Sequence, residues 1–269
     1  MFSYRDLTTE QDLIEVERLQ RDVWMMEDIA VVPDRMMQVF IHCGGHLMGA
    51  FDDERMIGFT MALVARDGDG LRLWSHMSGV LDAYRGQGIG FALKAQQRKW
   101  ALKHGYKTIA WTYDPLQRVN ANFNLRRLGS IGIHYHQDFY GEMLDEINRG
   151  MPSDRLEVVW DLASARVVDH ADGEAQPVLV ETHDTHFVVT SDHNLMPILT
   201  LPEKFTNLCY FVEIPYDLET VRALGKDAIV AWRMAHRQTL GALLVSGYRV
   251  VDFVNSDKRC WYVVYRSSF

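Results

Sequence analysis

The chain has 269 residues, 48% of them hydrophobic and 24% charged, with a formal net charge of -8; this is the balance of one large folded domain or two of ordinary size. The acidic charge argues against nonspecific nucleic-acid or anionic-membrane binding, which needs a broad basic surface, though it leaves room for a local basic pocket holding a phosphorylated cofactor. No apolar run is long enough to span a bilayer, Met1–Asp6 carries no signal-peptide core, and Cys43, Cys209 and Cys260 are too scattered for a disulfide frame or a zinc ribbon, so reduced thiols in a cytoplasmic protein are expected.

Phe2–Leu7 alternates like a strand, and Thr8-Thr9-Glu10-Gln11-Asp12 reads as a capped helix start, with Leu13, Val16, Leu19 and Val23 at helical spacing to about Trp24. Pro33 opens a second helix that Gly44-Gly45 stops. Strands over His46–Phe51 and Met56–Ala65 flank a polar turn, and Asp67-Gly68-Asp69-Gly70 is a hairpin turn into a strand ending at Val80. After Gly90 a helix runs to His104 and a strand covers Thr108–Tyr113, which Asp114-Pro115 breaks. A short helix over Asn120–Gly129 and a strand over Ser130–Gln137 follow, then a short helix over Glu142–Arg149.

Gly150–Arg155 is turn-rich and is taken as the joint between a domain over 1–150 and a smaller α+β extension over 151–269. The extension reads as strands near Leu156–Asp161, Pro177–Glu181, Phe187–Thr190 and Leu208–Ile214, one long helix from Pro215 to about Val245, and a hairpin around Ser256-Asp257-Lys258. It is assigned to completing a substrate pocket or to a homodimer contact.

The centre of the chain is Arg85-Gly86-Gln87-Gly88-Ile89-Gly90, between a strand and a helix. Amides and the positive dipole end at a helix N-terminus hold phosphate, the glycines remove the Cβ atoms that would keep it away, and Arg85 adds a pairing charge. The Gly-Lys-Ser/Thr ending of a nucleotide-hydrolase loop is absent, and the glycine spacing differs from a dinucleotide fingerprint, which Asp114 alone keeps in view.

The run Val80-Leu81-Asp82-Ala83-Tyr84-Arg85-Gly86-Gln87-Gly88-Ile89-Gly90 resembles the Arg/Gln-x-x-Gly-x-Gly/Ala loop of the GNAT superfamily of acyl-CoA-dependent N-acyltransferases. The element order over roughly residues 2–141 resembles that family too, and implies an α/β fold with an α+β mixed sheet. The resemblance implies acetyl-CoA, or another acyl-CoA such as succinyl-CoA, as donor, no metal, and a small amine such as an amino acid or related metabolite as acceptor. The alternatives are a protein N-acetyltransferase and a CoA-binding sensor without turnover. It further implies that the backbone of Ser78, Gly79 and Val80 pairs with pantetheine, that the Ser78 N-H polarises the thioester, and that Gln87–Gly90 amides take the diphosphate. Asn120 and Asn124 match side-chain amides the family uses along the pantetheine, with capping of the short helix as the other reading.

Transfer to an amine needs an oxyanion donor, a base for the ammonium proton and an acid for the thiolate. Alternation places Trp74, His76 and Ser78 on one strand face, and His76 falls where arylalkylamine members of the family carry a histidine. Trp74 stands where histone-modifying members carry glutamate. Leu125 stands where the family's usual tyrosine acid would be, which leaves Tyr135, Tyr140 or water, or a thiolate that departs unassisted. Glu27 is read as solvated or as an amine contact, Arg126, Arg127 and Arg155 as solvated or as partners of a carboxylate on the acyl group or the acceptor, and the methionines at 25, 26, 36 and 37 with Trp24 as core or an apolar acceptor wall. His183, His186 and His193, with Asp184 and Asp192, are read as a solvent-facing loop and not as metal ligands.

Overall fold

The computed structural model describes residues 1–141, 152–175 and 186–266. The helix expected over Glu142–Arg149, the strand over Pro177–Glu181, and His183 and Asp184 lie outside them. The chain divides into two compact units, Met1–Trp111 with Asp161–Ala163, and Thr112–Trp160 with Ser164–Phe269.

The first unit runs β1 (Ser3–Asp6), α1 (Glu10–Trp24), α2 (Asp34–His42), β2 (His46–Asp52), β3 (Arg55–Asp67), β4 (Gly70–Val80) and α3 (Ile89–Lys103), and takes in most of β5 (Thr108–Tyr113). Its strands lie in the order β1-β2-β3-β4-β5, antiparallel except for the parallel β4–β5 pair. Helix α1 starts on the expected box: Thr9 caps the Asp12 amide at 3.2 Å, and the Asp12 carboxylate accepts from the Thr9 N-H. Arg5 grips Asp12 through two hydrogen bonds and, with the capping amides, holds that carboxyl far below the usual range. Leu13, Val16 and Leu19 on α1 are buried against Phe59, Met61 and Met77 of the sheet, each such side chain contributing roughly 1.5–3 kcal/mol of transfer free energy.

In the second unit α4 (Arg118–Ala121) passes directly into a π-helical turn over Asn122–Arg127, then come β6 (Ile131–His136), β7 (Arg155–Asp161), α5 (Ala165–Asp172), β8 (His186–Ser191), β9 (Pro197–Leu199), β10 (Cys209–Ile214), α6 (Leu218–Ala223), α7 (Lys226–Val245), β11 (Tyr248–Ser256) and β12 (Arg259–Arg266). Strand order is β7-β6-β11-β12-β10-β8-β9, with β8 parallel to β10. Three expectations change here. The long helix is two helices, because Gly225 sits at φ +110° and breaks the run after Leu224. The regular short helix is largely a π turn, a widening that recurs at functional sites. Helix α5, capped by Ser164, was not expected, since only eight residues carry its pattern.

Among the described residues no helix is long and apolar enough to cross a membrane, and no cluster of His, Cys, Asp or Glu could hold a metal ion.

Candidate active site

Two features of the first unit build the site: an open strand edge and an open glycine turn. The ladder between β4 and β5 consists of Leu73↔Ile109 and Trp74↔Ala110, so from Ser75 to Val80 strand β4 has no pairing to β5. On its other side β4 stays paired with β3 as far as Val80. Beyond the ladder the Leu81 N-H donates to the Ile57 carbonyl at 2.9 Å. Alternation along an antiparallel pair then turns Gly79 toward β3, and Ser78 and Val80 away from it, toward the unpaired edge. The Val80 carbonyl bears this out by accepting from Arg85 Nε at 3.4 Å.

One residue is inserted into β4: Met61 faces Met77, but Ala62 faces Ser75, and His76 is the extra residue of a β-bulge. This corrects the expected face. Residues directly opposite share a face, so Ser78 with Thr60 and Ser75 with Ala62 lie on one side, whereas Trp74, opposite Leu63, lies on the other. The period-two reading placed Trp74 and Ser78 together because a bulge leaves no mark in the residue pattern. The His76 side chain is exposed, as is Ser78. Protein around the ring still displaces enough water to lower the imidazole pKa below its ordinary value. Gly79 is buried under α1, where an added Cβ would lie 2.7 Å from the Trp24 ring and 2.9 Å from Val23.

After Val80 a single 3-10 turn over Asp82–Tyr84 leads into the glycines. Gly86 and Gly88 adopt φ +77° and +79°, conformations that other residues rarely adopt. A Cβ at Gly86, Gly88 or Gly90 would meet nothing within 4 Å, so the turn is an open cradle and no side chain plugs it. The first intrahelical bond of α3 runs from the Ala92 N-H to the Gly88 carbonyl, which leaves the Ile89 and Gly90 amides ahead of the helix ladder. Arg85 is exposed and pairs with Asp82 at 2.6 Å, a contact that another anion can replace at little cost. These residues fit the diphosphate of an acyl-CoA: open volume, helix amides and a cation meet at one turn.

The other expected site residues lie in the second unit. Asn120 is exposed on α4, and Asn124 is buried in the π turn beside Leu125. The Tyr135 hydroxyl donates to Asp154 at 2.8 Å, and burial together with that carboxylate raises its pKa well above the ordinary value. Tyr140 is exposed, with the Arg155 guanidinium 4.9 Å from its ring centre. Arg126 lies near Asp252, 3.7 Å away. Sequence reasoning missed Lys94, buried on α3 with its amine 2.6 Å from Ser75 Oγ; a lysine among Phe91, Leu93 and Gln97 was the one available signal.

Residues 12–129 match the family model described as "Acetyltransferase (GNAT) family". No curated protein matches the chain. Among solved structures, the ribosomal-protein-S18-alanine N-acetyltransferase of Escherichia coli superposes with a TM-score of 0.50 at 16% identity, over 61% of this chain and 96% of that one. A GNAT-family acetyltransferase described as putative, from Desulfovibrio desulfuricans, gives 0.49 and 16% over 61% and 100%, and one from Streptococcus pneumoniae gives 0.48 and 14% over 59% and 98%. At 16% identity the likeness to the Escherichia coli structure is one of fold alone. The segment 12–129 is therefore a GNAT acetyltransferase domain.

Proposed function

We propose that the chain transfers an acetyl or succinyl group from acyl-CoA to the amine of a small metabolite such as an amino acid. The observation that carries this reading is the unpaired edge of β4 from Ser75 to Val80, running directly into the open cradle at Gly86, Gly88 and Gly90. When bound, acyl-CoA supplies an activated thioester. Arg85 and the amides of Gln87, Gly88, Ile89 and Gly90 hold the diphosphate, the outward amides of Ser78 and Val80 pair with the pantetheine arm, and the Ser78 N-H polarises the thioester carbonyl. The family resemblance extends the donor contacts to Gly79, Asn120 and Asn124. It is the resemblance alone that names Tyr135 and Tyr140 as proton donors, and the Tyr135 hydroxyl is committed to Asp154. Trp24 against Gly79, with exposed Met25, Ile29 and Met36, gives the acceptor side an apolar wall.

His76 takes the proton of the acceptor ammonium. The protein around the exposed ring displaces enough water to favour its neutral form, so the base stays competent to lower pH than a free imidazole, and kcat/KM is expected to fall only below the ordinary value of 6.5. His76→Ala should lower kcat by about 10²–10⁴-fold and remove that acid limb, while CoA affinity is kept. Unchanged turnover would remove His76 from the mechanism.

Thiol release from acetyl-CoA and succinyl-CoA, measured over a panel of amino acids, polyamines and peptide N-termini, tests the acceptor class. Release that depends on free amino acids supports the proposal; release that depends on peptides alone replaces it with protein acylation; tight CoA binding with no amine-dependent release replaces it with a sensor.

A further inference from the structure

Under the bulge lies a buried polar chain that the transfer reaction as described does not use. Lys94 is 3% exposed, and its ammonium or amine donates to Ser75 Oγ at 2.6 Å and to Gln97 Oε1 at 3.2 Å. Its third side faces the Trp111 ring, 4.2 Å from the centre. Gln97 is itself fully buried and donates through Nε2 to Thr60 Oγ1 at 3.1 Å, and Thr60 Oγ1 makes a long contact of 3.5 Å to the Met77 carbonyl. No carboxylate among the described residues pairs with Lys94, and burial alone pushes its pKa down to about 7.

Placing a lysine in such a site is costly, and packing alone does not require it: a methionine would fill the same space without desolvating a charge. What the lysine adds is a set of donors at one place. Its network reaches β4 at Ser75 and at Met77, the two residues on either side of His76. A bulge leaves the extra residue unpaired, bends the strand and increases its local twist, so anchoring both flanks fixes its geometry. The Met77 carbonyl and the Ser78 N-H belong to one planar trans peptide and point in opposite directions. Whatever holds that carbonyl therefore also aims the Ser78 N-H at the open edge.

We propose that Lys94 is a positioning residue for acyl transfer: through Ser75, and through Gln97 and Thr60, it holds the His76 bulge so that the Ser78 N-H points at the thioester carbonyl. The inference rests on the role given above to Ser78.

The test is Lys94→Met, which keeps length and apolar volume and removes the donors. The readout is the infrared carbonyl stretch of enzyme-bound acetyl-CoA, isotope-edited with ¹³C at the carbonyl, beside kcat, the KM for acetyl-CoA and the calorimetric Kd for CoA. In the wild type the Ser78 hydrogen bond should shift the stretch to lower frequency than in free acetyl-CoA. In Lys94→Met the shift should shrink and kcat should fall about 10- to 100-fold, a loss typical of a small misplacement, with KM and Kd within about threefold of the wild type. Ser75→Ala and Gln97→Leu remove the partners one at a time and should reproduce a smaller version of both effects; they carry the comparison if Lys94→Met does not fold. A folded Lys94→Met with wild-type carbonyl stretch and kcat overturns the proposal. A wild type that binds acetyl-CoA with no carbonyl shift overturns the role of Ser78 instead, so the two failures are told apart.

Discussion

Gly88→Val is expected to abolish CoA binding in calorimetric titration, weakening it by at least about 100-fold, while the protein remains folded. Two observations fix this outcome. Gly88 has φ +79°, so any side chain there is strained by roughly 1–2 kcal/mol, enough to lower the melting temperature and not enough to unfold a domain. Yet a Cβ at Gly88 meets nothing within 4 Å, so the new isopropyl group has no clash to relieve and stands in the space assigned to the diphosphate. Gly90→Ala separates the two contributions. Gly90 lies in the first turn of α3 without a positive φ, and its added Cβ also points into open space. Alanine should therefore stabilise the helix by about 0.5–1 kcal/mol and at the same time weaken CoA binding. A substitution that raises the melting point while lowering affinity is hard to explain unless the ligand lies on those glycines. Wild-type affinity in Gly88→Val would place the diphosphate elsewhere.

The sequence carried the first unit more fully than the second, and the reason is physical. The capping box at Thr9 and Asp12, the two-residue turn at Gly68-Asp69 and the glycines of the cradle are local signals: each is a residue type demanded by a backbone conformation a few positions away. Strand β4 was legible as a strand, and its open edge followed only from family resemblance, because pairing with a distant strand leaves no trace in β4 itself. The bulge at His76 was invisible for the same reason, and it separated Trp74 from Ser78. Lys94 escaped notice because a lysine on an amphipathic helix is ordinarily solvated; only the packed structure shows Ser75, Gln97 and Trp111 around it. In the second unit the break at Gly225 depended on one glycine inside a run of good helix formers, whose propensity alone favours continuity. The salt bridges there join residues far apart in sequence, Asp114 with Arg233 and Asp154 with Arg237, and no local pattern announces such partners.

Asp154→Ala is expected to destabilise the second unit strongly, costing about 3–5 kcal/mol in urea unfolding at neutral pH. The Asp154 side chain is fully buried and accepts four hydrogen bonds, two from Arg237 at 2.6 and 2.8 Å, one from the Tyr135 hydroxyl at 2.8 Å and one from the Asp138 N-H at 3.1 Å. Alanine leaves those donors without their acceptor and opens a polar hole. Arg237 keeps one partner, the more exposed Asp138 at 2.7 Å, so the loss should lie nearer the lower figure. The pH dependence follows from the direction of the shift. Burial pushes the Asp154 carboxyl up, but Arg237, the Tyr135 hydroxyl and the Asp138 amide together outweigh it and hold the carboxyl below its ordinary value of 3.8. A carboxyl depressed in the folded state contributes stability that is fully present above its unfolded pKa and is lost as pH falls through the folded one. The stability difference between the wild type and Asp154→Ala should therefore be flat from neutral pH down to about 5 and shrink below about 4 as the wild type loses its buried carboxylate. A difference that stays constant down to pH 3 would mean that packing, and not the charge held by Arg237, carries the contribution of Asp154.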